Sequence, residues 1–579
     1  MRSRTIFACT ALALAITASG TAGALTRDNK SGFKTGQPAM LTAVMGGVEI
    51  TPLLTVGDVL PGGYRFEAIP DGISLRTRGQ GRVDLFVNHE TSKVPFPYNT
   101  AAPTALNGEN DFDNSQVSRL TLNQLSAGVL NGSFVIPSSA GFQRFCSNYL
   151  ATAKEGFDRE ILFTNEESPD YVLRQEASWP PTMGSPAERE AGVVVALDVK
   201  TGKYRTIFGM GRHNHENNVA IPGYGKPVVF SGDDTFTSGP LTGVFPAGAV
   251  PSQSQLYSYI APSTSGLLAD QGDLWAFVSD TAGVKNYYDV PPGSASPVTG
   301  HFIQVPKDIA TGLNPDGSEL KAADKGYPLP PTNGSWQVDL RSVAPVGIDG
   351  PQWVMEYWSD INNVFQFVRI EDIAYDKRPG MGNVVYIVDS GRGRASGTDT
   401  PFLSTNGRVW KMVLDPTDPK VVTSLTVFVE GDDNPVKTLA EVHQPDNIET
   451  TLNGLLLTED PGSSQQFAAT DTSANATTAR LWYVPFSGTP QVVAKVNQSA
   501  DGGLTDVDGR TAGSQGAWES TGIVDASAAF GPGWFLINIQ AHTLWVEKAP
   551  GDDNNGDLEP DFTYKREGGQ LLLIRIPGA

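Results

Sequence analysis

The sequence predicts an all-β protein and, within that class, a β-propeller of six blades with loop insertions, seven being the alternative count. The 579-residue chain carries 62 glycines and 41 prolines, which bound many short runs rich in Val, Ile, Leu, Phe and Tyr. Long helical patterns are almost absent, so these runs indicate strands. Seven of the runs lead directly into polar, often acidic residues. They are DLFVNHE (84–90), ILFTNEE (161–167), VVFSGDD (228–234), DLWAFVSD (273–280), VVYIVDS (384–390), LLLTED (455–460) and WFLINIQ (534–540).

The spacing of these seven segments favours the propeller. Most lie about 45 to 80 residues apart, which is typical of repeated four-stranded units around a central channel. In that geometry we expect the innermost strand of each blade to end at the channel mouth, so that the terminal polar residues converge on one site. A pair of packed sheets is the alternative, but it gives these strand ends no reason to meet. The segment 193–207 has the pattern of an outer hairpin, with DVKTG as its turn.

The first 24 residues have the pattern of a secretory signal peptide. Two arginines precede an apolar run from Ile6 to about Ile16, and small residues follow up to Ala24. We therefore expect an exported protein, periplasmic or extracellular. The rest of the sequence contains no second apolar stretch of membrane-spanning length, so no membrane span is expected. Residues 25–579 are interpreted as a single propeller domain with a Pro/Gly-rich insertion near 290–336.

The charge balance restricts the class of partner. The chain has 63 acidic side chains against 42 basic ones. Nucleic acid and anionic membranes are therefore poor partners, because phosphate contacts need clustered Lys and Arg. Divalent cations suit such a chain, although acidity that serves only solubility is the competing explanation. We expect a small-molecule substrate and a monomer.

Acidic residues at the strand ends are candidate metal ligands, because carboxylate and amide oxygens suit Ca²⁺, which takes six to eight of them. In GRHNHENN (211–218), alternate side chains of an extended strand face opposite ways. We therefore expect Glu216 to be a ligand, with His213 and His215 as supporting groups or substrate contacts. The candidate ligands are Glu90, Glu166, Glu167, Glu216, Asp233, Asp234, Glu371, Asp372, Asp446, Glu459, Asp460 and Glu519.

One cysteine needs a separate interpretation. The chain has two cysteines, and Cys9 would leave with the signal peptide, so Cys146 has no intramolecular disulfide partner. Three interpretations remain: an inert buried thiol, an intermolecular disulfide, or a metal-binding or catalytic thiolate. A thiolate among carboxylates would indicate a transition metal, because soft sulfur does not select calcium.

Several motifs, in the order in which they occur, resemble the PhoX-type alkaline phosphatases and their wider, largely uncharacterised propeller relatives. The resemblance spans roughly residues 80 to 545. The motifs are GRHNHENN (211–218), VVFSGDD (228–234), LYSYI (256–260), VRIEDIAYD (368–376), HQPDNIETTLNGLLLTED (443–460) and WESTGIVD (518–525) followed by WFLINIQ (534–540).

This resemblance implies a six-bladed propeller whose central site holds two ferric irons and several calcium ions and hydrolyses phosphate esters. Cys146 is similar to the family's iron-binding cysteine, and Glu216 to the glutamate of its Asn-His-Glu motif. Arg369 and Glu371 match its Arg-x-Glu, and Asp446 the aspartate of its Pro-Asp, which makes these three the expected catalytic residues. The chain departs from the family at Asn165, where a second cysteine would fall.

Three functions follow as hypotheses from different classes. The first is a metal-dependent phosphoric ester hydrolase that contains calcium and iron and acts on a small phosphate ester. The second is a non-catalytic binding module in which calcium only ties the blades together. The third is a calcium-only propeller hydrolase, such as a lactonase, which would not need Cys146.

Overall fold

The computed structural model describes eleven segments of the chain. The signal-peptide prediction for residues 1–24 and the end of the expected insertion, from residue 331, lie outside them. The described residues are 31–90, 113–168, 171–173, 188–235, 254–330, 347–391, 406–431, 440–460, 477–501, 518–547 and 562–579.

The strands of these segments form a propeller, which confirms the predicted fold class. Each blade is an antiparallel sheet, and the inner strands of neighbouring blades contact one another around the channel. The first three blades follow the chain in order. From the channel outwards, blade 1 contains Pro70–Gly79, Arg82–His89, Asp113–Asn123 and Val129–Ile136, with Phe142–Gln143 beside the third strand. Blade 2 contains, in the same order, Phe145–Ala151, Ile161–Glu166, Val194–Asp198 and Lys203–Ile207. Blade 3 contains five strands, which are His215–Ala220, Val228–Asp233, Leu256–Ile260, Asp273–Ser279 and Val298–Gln304.

The second half of the chain provides three further blades, so the described strands sort into six. Blades 3 and 4 join at their outer strands into one nine-stranded sheet. From the channel outwards, blade 4 contains Ile370–Tyr375, Val384–Asp389, Arg408–Leu414 and Val421–Glu430. Blade 5 contains Pro445–Thr450, Gly454–Glu459, Arg480–Pro485, Gln491–Val496 and Leu41–Ala43. Blade 6 contains Glu519–Asp525, Trp534–Glu547, Phe562–Arg575 and Glu49–Thr55.

Hydrophobic packing between neighbouring blades explains why the strands are apolar almost throughout. A strand in a propeller is covered on both faces, so successive side chains enter two different clusters. In blade 5, Leu455 and Leu457 pack towards blade 4, whereas Leu456 packs towards blade 6. Six such clusters alternate with the six blades around the ring.

Strands from the N-terminal region close this ring. Leu41–Ala43 is the outermost strand of blade 5, and Glu49–Thr55 is the outermost strand of blade 6. Strands from the beginning of the chain thus pair with strands from its end, and this pairing joins the last blades to the first part of the chain. The closure therefore depends on long-range hydrogen bonding that short-range sequence patterns do not reveal.

The innermost strands are not the ones that the sequence predicted. The acidic-ending segments at 84–90, 161–167, 228–234, 384–390, 455–460 and 534–540 belong to second strands, and DLWAFVSD (273–280) contributes the fourth strand of blade 3. An antiparallel second strand ends where the first strand begins, so its polar end still reaches the channel. Convergence at the mouth was therefore correctly predicted, although the strand assignment was wrong and the segment 273–280 does not form a separate blade. The outer hairpin predicted at 193–207 is present as Val194–Asp198 and Lys203–Ile207.

Helices and connecting turns lie mainly between blades. The expected insertion near 290–336 contains the strand Val298–Gln304 as well as short helices, and a longer helix at 351–361 follows it. Among the described residues no helix has the length and hydrophobicity to cross a membrane. The described α-helices are Thr264–Leu268, Lys307–Thr311, Ala322–Lys325, Pro351–Ile361 and Ser527–Phe530. The described 3-10 turns are Ser138–Ala140, Ala153–Glu155, Phe208–Met210, Tyr287–Asp289 and Gln498–Asp501. A small hairpin pairs Tyr171–Leu173 with Glu188–Glu190.

Candidate metal centre

A β-bulge recurs at the start of every inner strand. In each blade two residues of the inner strand lie opposite one residue of the second strand, which re-aims the side chain at the bulge. The first residue of each bulge faces the channel, one from each blade. These six residues, which we call the ligand ring, are Asp71, Cys146, Glu216, Glu371, Asp446 and Thr521.

Two groups within the ligand ring are close enough to hold metal ions. One ligand atom each from Asp71, Cys146 and Glu216 lie within 4.8 Å of one another. The same limit holds for Glu216, Glu371 and Asp446, so Glu216 is shared by the two groups. The first group contains a thiol and suits a transition ion, whereas the second contains only carboxylates and suits a hard cation. The donor chemistry thus fits both of the expected metals.

A second layer of acids lies beside the ligand ring, where four of the six second strands end. Glu90 accepts a hydrogen bond from Nε2 of Gln540 at 2.7 Å. Burial raises the pKa of the Glu167 carboxyl, and the nearby Asp234 and Glu90 raise it further. Asp460 acts in the same way on Glu371. These four predicted ligands therefore surround the same part of the channel as the ring.

Three of these residues follow another acid, and that preceding acid faces away from the channel, as strand alternation requires. Oε1 of Glu166 accepts the amide hydrogen of Gln143 at 2.8 Å. Glu459 accepts hydrogen bonds from Nε and one terminal nitrogen of Arg480 at 2.9 and 2.8 Å and from the indole of Trp482 at 2.8 Å. The structure thus places Glu166 and Glu459 inside their blades and not in the ring.

Three further predicted ligands take separate positions. Asp372, the second bulge residue of blade 4, accepts the amide hydrogen of Ile448 at 2.9 Å and lies between blades. Asp233 lies within blade 3, where Oδ1 accepts the hydroxyl hydrogen of Thr235 at 2.8 Å. Glu519 begins the inner strand of blade 6, two residues before Thr521 of the ring, and adds to the rise in the pKa of Asp446 that burial and Glu371 cause.

Arg369 lies at the rim of the centre and connects both layers. Its Nε and a terminal nitrogen donate to Asp234 at 2.8 and 2.9 Å, and a terminal nitrogen lies 3.0 Å from Glu371. Its backbone is left-handed, with φ of 62°, and the same holds for Arg144 and Gln444, which precede the inner strands of blades 2 and 5. Such backbone strain concentrates at functional sites.

The electrostatics of the centre favour cations. Burial raises the pKa of Glu216 well above its usual value, and repulsion by Glu167 and Glu371 adds to the effect. Burial likewise raises the pKa of Asp446, and Glu371 again adds to it. The Cys146 residue keeps some exposure, but its thiol is desolvated, and that loss of hydration and the neighbouring Asp71 raise its pKa. Each group therefore resists ionisation until a positive charge neutralises its neighbours.

The channel is closed immediately below the ring. Asn447 of blade 5 reaches across to blade 2, where its Nδ2 donates to Oγ of Ser147 at 3.1 Å. Its Oδ1 accepts from the hydroxyl of Thr521 at 2.9 Å and from the amide of Gly522 at 2.5 Å. Below this floor lies a cavity of about 230 Å³ lined by inner-strand residues of all six blades. This floor thus separates the ring from the cavity.

The histidines that cluster near the polar segments take supporting positions. His89 bridges the carbonyl oxygen of Glu67 and the hydroxyl of Ser118, each at 2.7 Å, and burial lowers its pKa to about 4. His215 contacts Ser231 at 2.7 Å, and burial lowers its pKa to about 3. The side chain of His542 lies outside the described part of the chain. His89 and His215 therefore support the blades as neutral groups.

Sequence reasoning missed Asp71 and Thr521 of the ligand ring and Ser147 and Asn447 of the floor. A weak internal repeat could have revealed them. Six five-residue segments carry the ring residue at their centre, about 70 to 75 residues apart except for one interval of about twice that length. They are IPDGI (69–73), RFCSN (144–148), NHENN (214–218), RIEDI (369–373), QPDNI (444–448) and ESTGI (519–523).

Comparison with known proteins finds only distant structural matches. No protein-family model matches this sequence, and no curated protein matches it. A gluconolactonase from Xanthomonas campestris aligns over 93% of this chain and 100% of its own at 9% identity, with a TM-score of 0.28. An acylaminoacyl peptidase from Pyrococcus horikoshii aligns over 74% of this chain and 46% of its own at 7% identity, with a TM-score of 0.25. The NanB sialidase from Streptococcus pneumoniae aligns over 74% of this chain and 68% of its own at 8% identity, with a TM-score of 0.25. These values carry no argument about activity.

Proposed function

We propose that the ligand ring binds calcium together with a transition ion, iron in the first instance, and that the protein hydrolyses small phosphate esters. The observation that carries this proposal is the pair of ligand groups that share Glu216, one with a thiol and one with carboxylates only. A calcium-only hydrolase has no use for the thiol. A structural calcium site needs no soft donor either, so the composition of the ring favours a mixed catalytic centre.

In this proposal Asp71, Cys146 and Glu216 hold the transition ion, and Glu371 and Asp446 join Glu216 around calcium. Bound cations would supply Lewis acidity and neutralise the charge of the phosphoryl oxygens. The residues of the chain hold these cations in place, and the floor formed by Asn447 and Ser147 keeps the substrate above the ring. The resemblance of the sequence motifs to the PhoX-type phosphatases, which implies a centre of iron and calcium, supports this proposal.

Arg369 is proposed to orient the ester. Its guanidinium is a fork of donors that matches two phosphoryl oxygens. Asp234 grips the Nε edge of that fork and holds the side chain at the rim, where it is 16% exposed. Glu371 links Arg369 to the ring at 3.0 Å, so a substrate oriented by Arg369 would meet the bound cations.

The test uses purified protein loaded with calcium and iron. The measurements are metal content, the visible spectrum, and hydrolysis of a phosphomonoester, a phosphodiester and a lactone at alkaline pH. We expect phosphate-ester hydrolysis and a thiolate-to-iron charge-transfer band, and the variant Cys146→Ser should lose both. Thr521→Ser is the matched control, because it changes a ring residue without removing its hydroxyl, and it should retain both.

Three results would contradict the proposal. Colourless, iron-free protein without esterase activity after reconstitution would rule out the mixed centre. Lactone hydrolysis that Cys146→Ser leaves unchanged would favour the calcium-only hydrolase. Stabilisation by calcium without turnover of any of the three substrates would favour the binding module.

A further inference from the structure

The second layer of acids has an equivalent position in blade 4 that holds a serine. In blades 1, 2, 3 and 5 the backbone amide of the second-layer acid donates to the carbonyl oxygen two residues before the ring residue, at 2.9 to 3.1 Å. The amide of Ser390 makes the same bond to the carbonyl oxygen of Arg369, at 2.9 Å. Ser390 therefore takes the place of a second-layer acid in its blade. The acids at this position in the other blades are Glu90, Glu167, Asp234 and Asp460.

The hydroxyl of Ser390 connects this position to the ligand ring. Ser390 is buried, and its Oγ donates to Oε1 of Glu371. The same oxygen of Glu371 lies 3.0 Å from a terminal nitrogen of Arg369. The side chains of Ser390 and Arg369 thus meet at one carboxylate oxygen, so a charge introduced at position 390 would lie close to the guanidinium.

Blade 4 differs from the other blades in the charge of the two residues that this backbone bond joins. The residue two before the ring residue is an arginine in blades 2 and 4 only. In blade 2 the second-layer residue bonded to Arg144 is the acid Glu167. In blade 6 the second-layer residue is the uncharged Gln540, but it lies opposite the acid Glu519. An arginine beside an uncharged second-layer residue is therefore particular to blade 4.

We propose that Ser390 determines where an anion enters the centre, because it leaves the blade 4 side without a second-layer charge and lets a phosphoryl group lie against Arg369. The identity of this anion rests on the function proposed above. The second-layer acids of the other blades repel an anion, since like charges a few ångströms apart interact strongly where water is largely excluded. An acid at position 390 would place a third carboxylate against Arg369, beside those of Asp234 and Glu371.

The test compares Ser390→Asp with Ser390→Asn, two variants of equal size that differ by one charge. Both are prepared as full-length protein loaded with calcium and iron, and KM and kcat are measured for phosphate esters. We expect the KM of Ser390→Asp to exceed that of Ser390→Asn by about tenfold or more, with a smaller change in kcat. The increase should be larger for a doubly charged phosphomonoester than for a singly charged phosphodiester, because the repulsion grows with the charge of the substrate.

Inorganic phosphate provides a measurement that needs no turnover. Isothermal titration calorimetry should show that phosphate binds Ser390→Asp more weakly than Ser390→Asn by a similar factor. Asn453→Asp is the charge control, because it adds the same charge at an exposed turn between the first two strands of blade 5, at the end remote from the ring. Its affinity for phosphate should equal that of the wild type.

Three results would overturn this inference: a wild type that binds no phosphate, equal phosphate affinities in Ser390→Asp and Ser390→Asn, or an equal loss of affinity in Asn453→Asp. A lower metal content in Ser390→Asp than in Ser390→Asn would also overturn it, because missing cations would then explain the weaker binding. Wild-type protein that binds phosphate with the expected dependence on residue 390 but hydrolyses no ester would contradict the proposed function alone.

Discussion

Replacing Glu216 by glutamine should stabilise the metal-free protein, because Glu216 belongs to both ligand groups. Its carboxylate lies within 4.8 Å of ligand atoms from Glu371 and Asp446. Two like charges at that distance repel by about 3.5 kcal/mol at an effective dielectric constant of about 20. Protonation relieves part of this repulsion, so we expect a gain of about 3 kcal/mol at alkaline pH, where the carboxyls are most ionised.

The assay is thermal unfolding at pH 9 with and without calcium. A chain of this length unfolds with an entropy of about 1.2 kcal/mol/K, so 3 kcal/mol corresponds to a rise in Tm of about 3 °C. Calcium should raise the Tm of the wild type more than that of Glu216→Gln, since the variant lacks the shared ligand. Glutamine keeps an oxygen that can accept the hydrogen bond from Ser147, so packing is preserved.

The control is Glu459→Gln, which alters a buried acid outside the ring. Glu459 is paired with Arg480, so breaking this pair should cost about 3 to 5 kcal/mol with or without metal. The effect of calcium on this variant should equal that on the wild type. Metal-free Glu216→Gln that melts below the wild type, with an unchanged calcium effect, would refute the reasoning.

Three further predictions concern the floor, the rim and a buried histidine. Asn447→Ala removes the bonds to Ser147 and Thr521, so the free energy of unfolding should fall by about 2 to 3 kcal/mol in urea titrations; an unchanged midpoint would contradict the floor. Arg369→Lys should lower kcat/KM for phosphate esters at least tenfold, whereas Arg480→Lys should lower stability but not hydrolysis; equal kinetic losses would contradict the role of Arg369. Because burial lowers the pKa of His89 to about 4, the folded protein loses stability as pH falls from about 6.5 towards 4. His89→Gln should show a shallower decline in urea midpoint over that range, and identical slopes would contradict this.

Much of the fold and of the site was accessible from sequence because propeller strands repeat. Apolar runs that lead into polar residues predicted innermost strands whose ends meet at the channel. Six of the seven runs are second strands instead, and the ends of four of them bring Glu90, Glu167, Asp234 and Asp460 to the channel. The paired acids were harder to interpret, because periodicity alone does not say which member of a pair faces inward. The register shows that the second member does, as for Asp234 against Asp233.

The ligand ring was only partly predictable, because a β-bulge produces it. Two successive residues oppose one at each bulge, which breaks the alternation on which sequence patterns depend. Glu216 and Glu371 were found through their motifs, whereas Asp71 in IPDGI has no acidic neighbour to mark it, and in ESTGI the acid Glu519 was chosen in place of Thr521. The long interval between NHENN and RIEDI, which holds the extra strand of blade 3 and the helix Pro351–Ile361, further hid the repeat.

The most direct test of the central claim is anomalous X-ray diffraction from crystals of the protein loaded with iron and calcium. We predict a peak at the iron absorption edge among Asp71, Cys146 and Glu216. A second ion, without iron anomalous signal, should lie among Glu216, Glu371 and Asp446. A channel mouth without an iron peak at this position, in crystals of protein that contains iron, would contradict the account.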